Sequence, residues 1–348
     1  MAQELLFNND VKNISINNRR YLGNKYRLLP FIDNVLCGVK EDIDSLADIF
    51  AGTGVVAHFF SKKQIITNDI LYSNYLCHVA WFFEESISLE KITDLCSDYN
   101  RYTPTSENYM SKTFSNTYFG SKACRKIGYI REDIERLYKN HHLNFRERAI
   151  LVTSLIYAMD KIANTCGHYD AYRRTIVPET ELELRVPNVS EHSFVNRGNL
   201  CFHEDANALV RKIHPDMVYI DPPYNSRQYC DSYHVLENVA CWEKPEVFGV
   251  ARKMDRENLK SRYCSREAAE AFQDLIENIQ ARFILVSYNN MANHGDERSN
   301  ARITDEEILS ILSQKGKVKT FSARYKAFSA GKSYRPENEE RLFLVSVQ

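Results

Sequence analysis

The residues best suited to chemistry in this 348-residue chain are Asp221-Pro222-Pro223-Tyr224. Two consecutive prolines remove two backbone donors and fix φ, so the turn is stiff and its carbonyls are free to accept hydrogen bonds outward. A carboxylate on such a turn suits an amine that must present its lone pair to an electrophile. Asp221 and the Pro222 carbonyl can each accept one N–H, which aligns the lone pair, and Asp221 offsets the positive charge that grows on nitrogen. Tyr224 adds an aromatic face on which a planar base can stack.

A second constellation lies upstream. Asp48-Ile-Phe-Ala-Gly52-Thr-Gly54-Val-Val-Ala57 matches the G-x-G-x-x-G/A pattern, in which a strand closes, a helix opens and a ligand approaches the backbone closely. Glycine suits a turn with positive φ and leaves no Cβ in the ligand's way. Asp69, 17 residues after Gly52, ends the next strand candidate, where a carboxylate can accept both hydroxyls of a ribose. By itself this loop suits a nicotinamide dehydrogenase as well as any other nucleoside-cofactor enzyme. The Asp221 turn, however, has no use in a dehydrogenase.

These residues need rigid elements to bring them together. SLADIFAGTG (45–54) and DMVYIDPPY (216–224) are apolar runs stopped by Gly or Pro, and read as buried parallel strands ending in loops. QIITNDI (64–70) and RFILVSYNN (282–290) are further strand candidates. Helices are predicted over 87–99, 130–140, 146–163, 268–279 and 304–316, the last with a Thr cap and a Gly stop. In the tail, KVKTFSARYKAF pairs with RLFLVSVQ as a hairpin at the sheet's end. The alternation predicts an α/β fold with a doubly wound, Rossmann-like sheet.

The pair FAGTG and DPPY resembles motifs I and IV of the amino-methyltransferases that act on exocyclic amines of nucleic-acid bases. Arg20-Tyr21-Leu22-Gly23-Asn24-Lys25 resembles motif X of the alpha-group, Dam-like DNA adenine-N6 methyltransferases, and the motif order matches that group. The resemblance implies S-adenosylmethionine as cofactor, held by Tyr21 and by Lys25, whose ammonium is available to the carboxylate of its methionine part. It also implies that Asp48, Gly52 and Gly54 line the methionine side, with Phe50 as core or cofactor contact. Asp69 binds the ribose, and Asp205, in Glu204-Asp205-Ala206, contacts the adenine or caps a helix. The expected layout is a catalytic domain of 1–85 and 196–348 with an inserted, largely helical target-recognition region of 86–195. Part of that region, Ala149–Ala163, is apolar enough to pack on the catalytic domain.

Methylating a paired adenine requires base flipping and a grip on the flanking duplex. The net charge is only -1, but residues 110–175 hold twelve Lys/Arg against six Asp/Glu, and 315–335 hold seven Lys/Arg and no acid. Lys122, Arg125, Lys126, Arg173, Arg174, Arg227 and Lys326 are the candidate DNA contacts. Tyr229 and Tyr233, in the polar run after the catalytic turn, could clamp the flipped base or fill its vacancy. Nine scattered cysteines without a CxxC pair point to reduced thiols and a cytoplasmic protein. No export signal, membrane span or metal site is expected: Cys166 and His168 lack further spaced ligands. A monomer or weak dimer acting on double-stranded DNA, paired with a restriction endonuclease, is the expectation. The alternatives are an RNA base amino-methyltransferase (adenine N6 or guanine N2), a cytosine N4 enzyme, and a silent DNA-binding scaffold.

Overall fold

The computed structural model describes residues 13–289, 301–324 and 339–348. Seven strands form one sheet: β1 (Ser45–Asp48), β2 (Gln64–Asn68), β3 (Leu200–Phe202), β4 (Met217–Ile220), β5 (Phe283–Asn289), β6 (Gly316–Arg324) and β7 (Glu339–Val347). Their spatial order is β3-β2-β1-β4-β5-β7-β6. The first five run parallel, and β7 enters antiparallel to both β5 and β6, which forms the tail hairpin expected from the sequence. The sheet is therefore mixed and mostly parallel.

Side chains alternate between two cores, as the period of two along a strand requires. Leu46, Met217, Tyr219, Leu285 and Leu344 join one core with helices α1 (Leu29–Leu36) and α2 (Val55–Phe59). Ala47, Val218, Ile220, Val286 and Val345 join the other, with α8 (Ala206–Leu209), α11 (Ala268–Asn278) and α12 (Asp305–Ser313). Because both faces are covered, the central strands read as unbroken apolar runs. Thr304 caps α12 in a capping box with Glu307, as its sequence foretells.

Between β2 and β3 the chain is helical: α3 (Tyr72–Phe82), α4 (Leu89–Arg101), α5 (Tyr109–Phe114), α6 (Ser121–Lys139) and α7 (Phe145–Ile162). Residues 147–160 of α7 are buried without a break, and α7 shares a third core with α3 and with α10 (His234–Cys241), which follows the Asp221 turn and the short α9 (Tyr229–Ser232). The helices of the 86–195 segment thus pack into a common body with elements outside it. All nine cysteines are free. Among the described residues no helix is long and apolar enough to cross a membrane.

Candidate active site

The chain runs from β1 outward to β2 and β3 on one side and returns to β4 on the other, so the strand order reverses between β1 and β4. That crevice at the carboxyl ends is where open α/β sheets bind ligands. The register pairs Asp48 with Tyr219, so the glycine turn and the Asp221 turn leave adjacent strands at one level. Both line a single open cleft of about 1020 Å³, together with Tyr21, Lys25, Asp48, Phe50, Asp69, Asp205, Pro223 and Tyr229.

The glycine turn is held from several directions. Gly52 and Gly54 have φ of 52° and 79°, and a Cβ on Gly52 would meet the Tyr21 ring at 3.0 Å. Asp69 accepts the Gly52 N–H at 2.9 Å and the Leu71 N–H at 2.8 Å, so it already fastens the turn to the start of the next helix. His78, which burial pushes down to about 4, donates Nε2–H to the Gly52 carbonyl. Asn68, which sequence reasoning passed over, donates to the carbonyls of Ile49 and Glu204 and accepts the Glu204 N–H. It thereby ties β2 to both flanking loops. Asp205 caps α8 through the Ala208 N–H at 3.0 Å, as one of its two sequence readings has it, and also lines the cleft. Phe50 meets Tyr263 edge-on at 5.1 Å within a core, with its residue still on the cleft wall.

Electrostatically the cleft is acidic. Burial holds Asp48 well above the usual carboxylate range, with the Asp221 and Asp69 charges pushing the same way, and one Asp48 oxygen is buried without a partner. Burial likewise pushes Asp69 and Asp221 up to about 6. Carboxylates crowded in this way favour a cationic ligand. The positive-φ cradle, the unpartnered Asp48 oxygen and this charge all fit a sulfonium nucleoside such as S-adenosylmethionine.

Two sequence expectations change here. Lys25 does not stand free: its Nζ lies 3.0 Å from Asp221 Oδ1 and 3.1 Å from Glu340 Oε1. Tyr229 and Tyr233, read as base clamps, have their hydroxyls engaged with the segment at Leu22. Tyr229 donates its hydroxyl to the Leu22 carbonyl, and Leu22 N–H donates to Tyr233 at 2.7 Å. Tyr21 stacks on Tyr233 at 4.5 Å, and Asn74 donates to its hydroxyl. Pro222 is buried, whereas Tyr224 is half-buried against Tyr288 at 6.3 Å.

Four of the twelve basic residues of 110–175 are spent inside the protein. Lys126 is buried and donates to the Asn100 carbonyl, so it is not available to DNA. Arg131 and Arg148 pair with Glu135, and Arg146 donates to the Ala80 and Glu85 carbonyls. An ionised side chain that loses water needs such partners, and the apolar cores of α6 and α7 bury these stems. Lys122, Arg173, Arg174 and Arg227 are exposed, and Arg125 is half-buried beside Ser121. Lys326 lies outside the described residues. The loop carrying Arg173 and Arg174 is anchored near the cleft, because Lys253 bridges Asp170 and Asp231, two residues beyond Tyr229. Sequence reasoning also missed the wall formed by Leu259–Tyr263, where Ser261 and Gln228 exchange two hydrogen bonds. No local motif marks it.

The pattern that defines D12 class N6 adenine-specific DNA methyltransferases matches residues 21–292. The chain is 33% identical over 323 residues to Type II methyltransferase M.FokI of Planomicrobium okeanokoites, covering 87% of this chain and 48% of that protein. It is 35% identical over 315 residues to modification methylase StsI of Streptococcus sanguinis, covering 85% and 46%. With Type II methyltransferase M.NlaIII of Neisseria lactamica the identity is 27% over 325 residues, covering 90% and 93%. The chain thus spans about half the length of the first two relatives and nearly all of the third. With the cleft, its two turns and this match together, the chain belongs to the D12 class N6 adenine-specific DNA methyltransferase family.

Proposed function

We propose that this chain transfers a methyl group from S-adenosylmethionine to N6 of an adenine flipped out of double-stranded DNA. The observation that carries the reading is the cleft shared by the Asp221 and Gly52 turns on adjacent parallel strands. Tyr21, Asp48, Phe50, Gly52, Gly54, Asp69 and Asp205 are the residues that hold the cofactor. When bound, S-adenosylmethionine supplies a methyl on a sulfonium and leaves as a neutral thioether. Asp221 and the Pro222 carbonyl accept the two N6 hydrogens, which turns the nitrogen lone pair out of the ring plane, and Tyr224 stacks on the base. Asp221 then accepts the proton that the methylated nitrogen sheds. The test is base-resolved sequencing of DNA from cells producing the protein, beside the Asp221→Ala variant. The expected outcome is methylated adenine within one short motif, absent in the variant; unmodified DNA with methylated RNA would overturn it.

The duplex is gripped, on this reading, by the 86–195 region and the cleft mouth, with Lys122, Arg125, Arg173, Arg174 and Arg227 facing phosphates and base edges. Two relatives are named Type II methyltransferases and one a modification methylase, and by that likeness a companion restriction endonuclease is part of the proposal. Replacing both Arg173 and Arg174 by Ala is expected to lower the slope of log affinity against log salt by about two and to weaken binding to any duplex roughly alike. Lys126→Met is expected to leave that slope unchanged, because its ammonium is already taken by Asn100. Fluorescence anisotropy across a salt series reads both.

A further inference from the structure

The function proposed above uses Asp221 and gives no task to Glu340, a buried residue on the last strand. Yet Glu340 is the second partner of the ammonium that touches Asp221. Lys25 Nζ lies 3.0 Å from Asp221 Oδ1 and 3.1 Å from Glu340 Oε1, and the Ser287 hydroxyl donates to that same glutamate oxygen at 2.8 Å. The side chains of Lys25 and Glu340 are 8% and 5% exposed, against 18% for Asp221, which lines the cleft. Ions this far from water persist only when their charges are matched. One ammonium with one carboxylate would be matched already. Here there are two carboxylates, and the group as a whole carries one negative charge.

We propose that Glu340 is a positioning residue for methyl transfer: it holds the Lys25 ammonium against Oδ1 of Asp221, leaving Oδ2 to the substrate amine. The contact of the ion pair at 3.0 Å is made with Oδ1. Glu340 sits in the β5–β7 ladder opposite Asn289, so the clamp is built on sheet backbone rather than on a loop, which suits a group that must be placed closely. The surplus negative charge of the three-residue group has a second use. As the nitrogen of the substrate becomes positive, the group and the reacting centre together approach neutrality. A Lys25–Asp221 pair alone would be neutral beforehand and would repel nothing and attract little. Lys25, on this account, serves the catalytic carboxylate and not the carboxylate of the cofactor.

The charged and titratable groups around Asp221 are Lys25 ahead of α1, Glu340 on β7, Asp48 on β1, Tyr219 on β4, Tyr224 in the turn itself and Tyr229 on α9. Burial raises the Asp221 carboxyl to about 6; Lys25 pulls it down and Glu340 pushes it up. The sign of each substitution follows. Methyl transfer needs the ionised carboxylate, so the wild-type rate rises with pH through about 6 and levels above it. Removing the negative charge of Glu340 moves that limb to lower pH, and removing the positive charge of Lys25 moves it to higher pH.

This inference rests on the proposed activity, and its test is made on wild-type enzyme already shown to methylate DNA, so its failure is distinct from the failure of that reading. Single-turnover rates are measured against pH with tritium-labelled S-adenosylmethionine and a duplex carrying the site found by sequencing. Cofactor affinity is measured by calorimetry on the same proteins. Glu340→Gln is expected to slow the plateau rate about 10- to 100-fold and to shift the acid limb downward by about half a unit or more, with cofactor affinity within about threefold of wild type. Lys25→Met is expected to shift the limb upward, also with cofactor affinity little changed. Calorimetry doubles as the check of folding. Should the amide variant not fold, Glu340→Asp draws the charge away from Lys25 without removing it, and a slower plateau at unchanged cofactor affinity is expected. A Glu340→Gln limb that stays in place or moves upward, a Glu340→Asp plateau equal to wild type, or a Lys25→Met enzyme that loses cofactor affinity more than tenfold overturns the proposal.

Discussion

Asp221→Ala is expected to lower the single-turnover rate of methyl transfer by about 10³-fold or more, with cofactor affinity within about threefold of wild type. The asymmetry follows from where the carboxylate stands. Asp221 lies at the junction of the cleft and the Lys25–Glu340 pair, at the mouth of β4, and the Asp69 and His78 contacts that shape the glycine turn do not involve it. The variant loses the acceptor that orients the amine and the charge that offsets the growing positive nitrogen. The Lys25 that remains is neutralised by Glu340 alone, and the neutral pair gives the growing positive nitrogen little attraction. Rapid-quench measurement of tritium transfer, with calorimetric titration of S-adenosylhomocysteine, separates the two quantities. A rate within tenfold of wild type would remove Asp221 from the chemistry.

Asp69→Ala is expected to act on the opposite quantity, weakening cofactor binding by about 100-fold, or about 2.7 kcal/mol, because it strips charged hydrogen bonds from two buried backbone donors. The side chain accepts from Gly52 and Leu71 and is 9% exposed, so its loss leaves both N–H groups without their partner in a site water enters poorly. Gly52 also holds a φ of 52°, a conformation that the surroundings must maintain. With its tether gone the turn relaxes, and Tyr21, whose ring lies where a Cβ on Gly52 would come within 3.0 Å, loses its seat. Calorimetry reads the affinity directly. An Asp69→Ala protein that binds the cofactor as tightly as wild type would show that the turn is held by His78 and Asn68 alone.

Strands β1, β2, β4 and β5, the tail hairpin and the two turns were legible because each is encoded locally, whereas the short β3 (Leu200–Phe202) was not foreseen. Ala47 and Leu46 face different cores, so the run around them is apolar throughout, and a Pro-Pro or Gly-x-Gly stop marks where the strand gives way to the site. The helix of 268–279 and, through its Thr cap, the helix predicted over 304–316, which ends at Ser313 before Gly316 opens β6, were legible for the same reason. Chain-local chemistry therefore determined that a stiff Pro-Pro turn and a glycine turn end two strands of one sheet.

Which charges remain available was another matter. Lys126, Arg131, Arg146 and Arg148 carry the same sequence signature as Arg173 and Arg174, and only the packing of α6 and α7 against α3 and α10 removes the former from the surface. Tyr229 reads as a base clamp until its hydroxyl is found on Leu22, more than half the chain away. Glu340 has no motif around it and reaches Lys25 only because β7 lies against β5 at the far end of the chain. A short peptide's conformation depends on its covalent neighbours, which a sequence displays. The ionisation and the partners of a buried side chain depend on whatever the fold places within a few ångströms, and in this protein the tertiary structure alone decided that the ammonium beside Asp221 is shared with the last strand.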